Sequence, residues 1–381
     1  MHLVSRMGHH ETTIFTEISA LAVRHDAVNL GQGFPDTDAA LREAVAAALE
    51  SGQNQYPPLS GRPDLLAAIA AHQRHWYGLE VDPASQVLVT VGATEAVAAT
   101  ILAFCEPGDE VVMFAPFYDA YAGVVDLAGA VRRTCPLAFP DFAVDEDALR
   151  AAFTDRTRLV LLNTPHNPTG KVFSRPELEL IARLAVEHDA WVVTDEVYEH
   201  LTFGVPHVPI ATLPGMAERT LTVSSAGKTF SVTGWKVGWV TGPAPAVAAV
   251  AAVKQYLTFG AGGPFQAGVA AGLGLPDETF HSLRDALQAK RDLLVDALTS
   301  LGLPVAVPAG TYFVVADMAP LGVTDALALA RELPARAGVA AIPVTVFHDD
   351  PDADPTLLRF AFCKRDDVLR EGARRLSRLL G

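Results

Sequence analysis

Lys228 has the most distinctive chemical setting in the sequence. It follows the apolar run Leu221–Val223 through Ser224-Ser225-Ala226-Gly227, which places it beyond a buried strand among small residues. Desolvation there lowers a lysine's pKa and makes the neutral amine available for Schiff-base chemistry. Gly227-Lys228-Thr229 also matches the end of a phosphate-binding P-loop. That motif needs a glycine five residues before Gly227, where this chain has Thr222, so the nucleotide reading fails. Asp195 is the second anchor, at the end of the apolar run Trp191–Thr194. A carboxylate in that position either caps a helix or strand end or meets a positive partner, such as a protonated pyridine nitrogen.

Both residues need elements to position them. Short apolar runs at Val87–Val91, Glu110–Phe114, Leu159–Leu162, Trp191–Thr194 and Leu221–Val223 read as strands buried on both faces of a parallel sheet. Helical stretches such as Arg175–Glu187 lie between them, which predicts an α/β doubly wound domain. Each run leads into polar or glycine-rich residues: Gly92-Ala93-Thr94, Ala115-Pro116-Phe117-Tyr118-Asp119, Asn163 to Gly170, Asp195-Glu196-Val197-Tyr198, and Ser224 to Lys228. The carboxyl edge of an open α/β sheet is where ligands bind, so the convergence predicts a large polar ligand site. From about residue 275 the pattern changes. A long helix near Phe280–Leu301 and strand-like pieces at Pro304–Pro308, Tyr312–Asp317 and Leu357–Phe362 predict a smaller α+β domain. The expected division is 1–39 as an N-terminal arm with part of the small domain, 40–275 as the large domain and 276–381 as the small one.

The motifs Asn167-Pro168-Thr169-Gly170, Asp195-Glu196-Val197-Tyr198, Ser225-Ala226-Gly227-Lys228 and Gly234-Trp235-Lys236-Val237-Gly238 resemble the signature of fold-type-I, class I/II aminotransferases, which depend on pyridoxal 5′-phosphate. The resemblance runs from Asn29-Leu30-Gly31-Gln32-Gly33-Phe34-Pro35-Asp36 to Arg359-Phe360-Ala361-Phe362 and is nearest the kynurenine/glutamine/methionine group. N-succinyldiaminopimelate aminotransferases are similar too. The implied fold is the type I pyridoxal-phosphate transferase fold, with a mostly parallel seven-stranded sheet.

The resemblance implies a role for each matching residue. Lys228 would hold the cofactor aldehyde and shuttle a proton, while Asp195 would keep the ring nitrogen protonated. Tyr198 and Asn167 would bond the phenolic oxygen, and Tyr118 would stack on the ring, with Phe117 left to the core. The phosphate would meet the backbone N–H groups of Ala93 and Thr94, Ser225, Lys236 where the family often has Arg, and Tyr56 from a neighbouring subunit. That last role implies a homodimer with shared active sites. Arg359 would clamp the substrate α-carboxylate in a bidentate fork, although read alone it is an ordinary strand-end surface arginine. Gly33 would allow close approach to that carboxylate, and Phe15 and Phe259 would line a side-chain pocket for bulky, neutral or sulfur-containing groups.

Composition narrows the alternatives. The formal net charge of −15 argues against a nucleic-acid partner. No stretch has the length and apolarity of a membrane span, and Met1–Glu11 lacks the apolar run of a secretory signal. Three scattered cysteines, Cys105, Cys135 and Cys363, follow no metal-ligand spacing and suit a reducing cytoplasm as small buried hydrophobes. His9 and His10 read as part of a frayed terminus rather than as metal ligands. The expected reaction is ping-pong amino transfer from an L-amino acid to a 2-oxo acid. N-succinyldiaminopimelate transamination, β-elimination from cysteine conjugates and a non-catalytic cofactor-binding regulator are the alternatives.

Overall fold

The computed structural model describes residues 4–7, 13–36, 41–52 and 54–380; His9 and His10 lie outside them. Seven strands form the principal sheet: β1 Val87–Thr90, β2 Glu110–Ala115, β3 Val131–Pro136, β4 Thr157–Asn163, β5 Trp191–Asp195, β6 Thr220–Ser225 and β7 Gly238–Thr241. Their spatial order is β1-β7-β6-β5-β4-β2-β3. Only β7 runs against its neighbours, so β1, β2, β4, β5 and β6 end on one edge.

Side chains alternate across a strand, and here both faces are apolar because both are covered. Val111, Met113, Leu159 and Leu161 pack with residues of the helices Gly92–Phe104, Asp119–Ala128 and Ala244–Leu257. Val112, Phe114, Val160 and Leu162 face the opposite way, toward the helix Arg175–Glu187. That helix begins with a capping box between Ser174 and Glu177, and it buries Leu178, Ile181, Ala182 and Ala185 at helical spacing. Edge strand β3 is mostly accessible and carries Arg132 and Arg133, which disguise it in the sequence.

A second, antiparallel sheet contains β8 Val305–Ala306, β9 Phe313–Asp317, β10 Ile342–Pro343 and β11 Leu357–Ala361, in the order β10-β11-β9-β8. The strand expected over Pro304–Pro308 shrinks to two residues, since the flanking prolines lack an N–H for the ladder. The long helix spans Asp277–Ser300, slightly ahead of its expected start, with Asp277 and Glu278 in the first turn, where the helix dipole favours them. Val28–Asn29 pairs in parallel with Val339–Ala340 in a separate two-stranded sheet, which ties the N-terminal segment to the C-terminal part of the chain. Among the described residues no helix is long and apolar enough to cross a membrane.

The turn that closes Asn167-Pro168-Thr169-Gly170 depends on its glycine. Gly170 has φ +73°, and a β-carbon there would stand 2.2 Å from Pro308 Cβ. Gly170→Ala should therefore destabilise the fold by about 2–4 kcal/mol, combining left-handed strain with overpacking. Denaturant unfolding checks this; a midpoint equal to that of the parent would contradict it.

Candidate active site

The polar strand ends converge on a cavity of about 990 Å³. Twelve of the residues singled out from the sequence line it: Phe15, Gly33, Ala93, Thr94, Tyr118, Asn167, Asp195, Tyr198, Ser225, Lys228, Lys236 and Arg359. Tyr56 and Phe259 do not. Both are exposed, and their rings meet edge to face at 5.8 Å outside the cavity of their own chain.

Strand β6 ends in Ser225, whose hydroxyl accepts from Gly227 N at 3.1 Å and starts the one-turn helix Ala226–Thr229. Lys228 projects from that turn, with its Nζ 5.9 Å from the Tyr198 ring centre and 5.6 Å from that of Tyr312. Burial, reinforced by Lys236 and Arg359, pushes its amine down to about 8 against the opposing pull of Asp195. Asp195, at the end of β5, receives the Tyr121 hydroxyl on Oδ2 at 2.6 Å and the Val197 N–H on Oδ1 at 3.3 Å. Burial nevertheless raises its carboxyl to about 6, which marks a carboxylate short of positive charge.

Asn163 ends β4 beside Asp195 and holds the following loop. Its amide donates to the Asp195 carbonyl at 2.8 Å, and its Oδ1 accepts from Asn167 N at 2.7 Å. Arg359, on β11, is only 1 % exposed and so is not the surface arginine of the bare sequence reading. Its Nη1 donates to Asn167 Oδ1 at 2.8 Å, its Nη2 donates to the Gly31 carbonyl at 2.9 Å, and the Phe313 ring lies 4.0 Å from its Cζ. Arg359 Nε is buried with no hydrogen-bond partner among the described residues. Burial lowers the guanidinium pKa to about 10, still well above neutrality.

The helix Gly92–Phe104 presents its N-terminus to the cavity at Ala93 and Thr94. A β-carbon at Gly92 would stand 3.2 Å from Lys236 Nζ, which places that amine over the helix's first turn. Orphan backbone donors and an ammonium together form an anion site. At Gly33 the space a β-carbon would need is taken by the Phe313 and Tyr312 rings, at 2.6 and 2.8 Å, and the Tyr312 hydroxyl donates to the Gly33 carbonyl at 2.8 Å.

Residues 25–376 match the family of class I and II aminotransferases. The chain belongs to that family. It is 51 % identical to the probable N-succinyldiaminopimelate aminotransferase DapC of Mycobacterium tuberculosis, over 98 % of each chain. A solved structure of the N-succinyldiaminopimelate aminotransferase from that organism superposes with a TM-score of 0.97, at 52 % identity, over 99 % of this chain and all of the other. The methionine aminotransferase of Escherichia coli is 41 % identical over 97 % of this chain and 96 % of its own. A kynurenine–oxoglutarate transaminase of mouse is 39 % identical over 94 % and 86 %.

Aminotransferases of this family and fold depend on pyridoxal 5′-phosphate, and this cavity fits it. A carboxylate lacking a cation, a partly desolvated amine and an anion site complement its ring nitrogen, aldehyde and phosphate. Tyr121 and Tyr312 were not picked out from the sequence. Tyr121 falls three residues after Tyr118, and that spacing on one helix face was the available signal. Tyr312 gave none, because its contact with Gly33 spans most of the chain. Behind Asp195 lies an unanticipated buried polar layer. Glu196 pairs with His207 at 2.8 Å, Glu199 accepts from Ser224 at 2.5 Å, and the Nε2 atoms of His72 and His200 are 2.7 Å apart. Cys105, Cys135 and Cys363 are buried and unpaired, and burial pushes each thiol above its ordinary pKa.

The Asp195 shift carries a pH signature. Its pKa rises from 3.8 to about 6 on folding, so the cofactor-free fold favours the protonated form. Stability from this group is complete below the lower value and is lost as pH rises through the upper one. Asp195→Asn cannot ionise, so it should gain on the parent between about pH 4 and 7, by on the order of 3 kcal/mol. Melting both cofactor-free proteins across that range tests this, and a pH-independent difference would count against it.

Proposed function

We propose that this aminotransferase moves the amino group of an L-amino acid with a long, uncharged side chain, of the methionine, glutamine or aromatic type, to a 2-oxo acid. The observation that carries the reading is the cation inventory of the cavity. Among the described residues lining it, the positive side chains are Lys228, Lys236 and Arg359. We assign Lys228 to the reacting carbon, Lys236 to the phosphate and Arg359 to the α-carboxylate, which leaves no further described cation of the same chain for a distal carboxylate. Phe15, Tyr118 and Phe313 supply aromatic wall instead. The named activities of the methionine and kynurenine relatives agree with that wall.

Pyridoxal phosphate, when bound, supplies an electron-accepting ring for the electrons of the substrate's Cα–H bond. Asp195 holds a proton on the ring nitrogen. Lys228, whose pKa burial lowers to about 8, would take the proton from the substrate Cα. Arg359 occupies Asn167 Oδ1, so the amide nitrogen of Asn167 is the end left to donate to the ring's phenolic oxygen, beside the Tyr198 hydroxyl. Tyr118 would cover the ring, and Ser225 would join Ala93 and Thr94 at the phosphate, all four lining the cavity. Arg359 Nε, buried and unpartnered, is suited with Nη2 to a carboxylate fork that fixes Cα for deprotonation.

Tyr56 and Phe259 we assign to the neighbouring copy's site in a homodimer, since both stand exposed outside their own cavity. Three unpaired, buried cysteines fit a cytoplasmic location. A second substrate, N-succinyldiaminopimelate, is favoured by the 51 % identity to the probable DapC. Its distal carboxylates would have to be met by uncharged groups such as Thr13, Thr16 and Ser19.

A half-reaction screen separates these readings. The purified holoenzyme is mixed with single amino acids, and conversion of the cofactor from its aldehyde to its amine form is followed by absorbance. Methionine, glutamine, kynurenine or phenylalanine should convert it rapidly, and Lys228→Ala should abolish conversion. Rapid conversion by N-succinyldiaminopimelate alone would establish the second substrate; pyruvate and ammonia released from cysteine conjugates would show β-elimination.

A further inference from the structure

The Arg359 guanidinium is aimed by a carbonyl, Gly31 O, and that carbonyl lies in a short irregular loop. Asn29 shapes the loop, its Oδ1 accepting from Gly31 N at 3.0 Å and from Gln32 N at 3.2 Å. An Asx turn fixes the curvature of a loop but not its position relative to neighbouring elements. Backbone bonds of Leu30 with Ala340 and Ala361 hold one side of the loop, Tyr312 holds Gly33 on the other, and Gln32 ties the segment between them to the N-terminal helix. The Gln32 Nε2 donates to Ser19 Oγ at 2.8 Å and to the Phe15 carbonyl at 3.1 Å, both on the N-terminal helix Ile14–Arg24. The helix is anchored in turn: Thr13 caps it, Ile18 and Ala22 are buried, and Glu17 pairs with Arg331 at 2.7 Å. It also carries the Phe15 ring, 5.3 Å from Arg359 Cζ.

We infer that Gln32 is a positioning residue for α-carboxylate recognition, locking the Gly31 carbonyl to the N-terminal helix so that Arg359 presents its free edge to the substrate. The inference rests on the proposed assignment of Arg359 to the α-carboxylate. Both Gln32 amide hydrogens are committed to the helix. Replacing the side chain releases the loop from the helix but leaves the Asn29 turn intact. Gly31 O, still held through Leu30 but freed on its Gln32 side, can then shift, and the guanidinium edge it holds shifts with it. The chemistry at Cα is served by other elements, chiefly β5 and the turn after β6, so the loss falls on binding of the carboxylate.

The test compares the holoenzyme with Gln32→Ala, Ser19→Ala and Arg359→Lys, using methionine and methioninamide, which lacks the carboxylate, as paired amino donors. Gln32→Ala should raise KM for methionine about tenfold, equivalent to about 1.4 kcal/mol, with a much smaller change in kcat. Ser19→Ala, which removes one of the two acceptors, should give a smaller rise in the same direction. For methioninamide neither variant should differ from the parent, an outcome that general loss of structure would not produce. Equal losses with acid and amide, or a parent-like KM for Gln32→Ala, would overturn the inference. Arg359→Lys separates the two levels: if it discriminates acid from amide while Gln32→Ala does not, only the role of Gln32 is wrong. If Arg359→Lys fails to discriminate, the Arg359 assignment itself is wrong.

Discussion

Asp195 ends a central strand where water barely reaches it, and Tyr121 is the side chain that donates to it. Burying a carboxylate costs several kcal/mol unless a positive group meets it. Lys228 is buried as well, and its pKa has fallen to about 8, so its ammonium form is held less firmly than an exposed lysine's. Burial thus shifts each of the two groups toward its neutral form. In the proposed assignment a cationic ring nitrogen would relieve the carboxylate, and the cofactor's aldehyde would be held by the amine. The protein stores the mismatch in its fold, and the cofactor's chemical structure answers it.

The fold sustains that arrangement because neither residue sits on a long mobile loop. Asp195 is the last residue of β5, and Lys228 lies in the single turn after β6, beside it in the sheet. Asn163, next to Asp195 on β4, fastens the Asn167 loop to the same edge through both ends of its amide. The edge works as a rigid rack whose spacing is that of the strands themselves. Helices on both faces keep it dry, so each charge placed there acts at short range in a poorly screened medium.

Much of the rack was legible in the sequence. Val111–Phe114, Leu159–Leu162 and Trp191–Thr194 are continuous apolar runs, the pattern of strands covered on both sides, and the residues after them are the cavity's polar lining. The capped helix Arg175–Glu187 declared both its ends. Strand β3 did not, because an edge strand carries Arg132 and Arg133 without penalty. The antiparallel strand β7 was hidden behind the glycines and Trp235 of the motif that precedes it. Arg359 read alone as a surface residue because a local pattern cannot report Phe15, Phe313 and Phe347 closing over it from distant segments. Its burial is a tertiary fact, as are the contacts of Tyr121 and Tyr312.

Arg359 links the two sheets. Its strand belongs to the small sheet, its Nη2 is held by the N-terminal loop, and its Nη1 reaches across to Asn167 on the edge of the large sheet. A guanidinium is weakly hydrated and planar, so three aromatic faces and two oxygen acceptors can replace most of its water. They do not replace all of it, because Nε remains buried without a partner. A substrate carboxylate would supply the missing acceptor and the missing negative charge together. Under the proposed assignment, the group that identifies an α-amino acid would therefore complete the hydrogen bonding of the residue joining the two sheets.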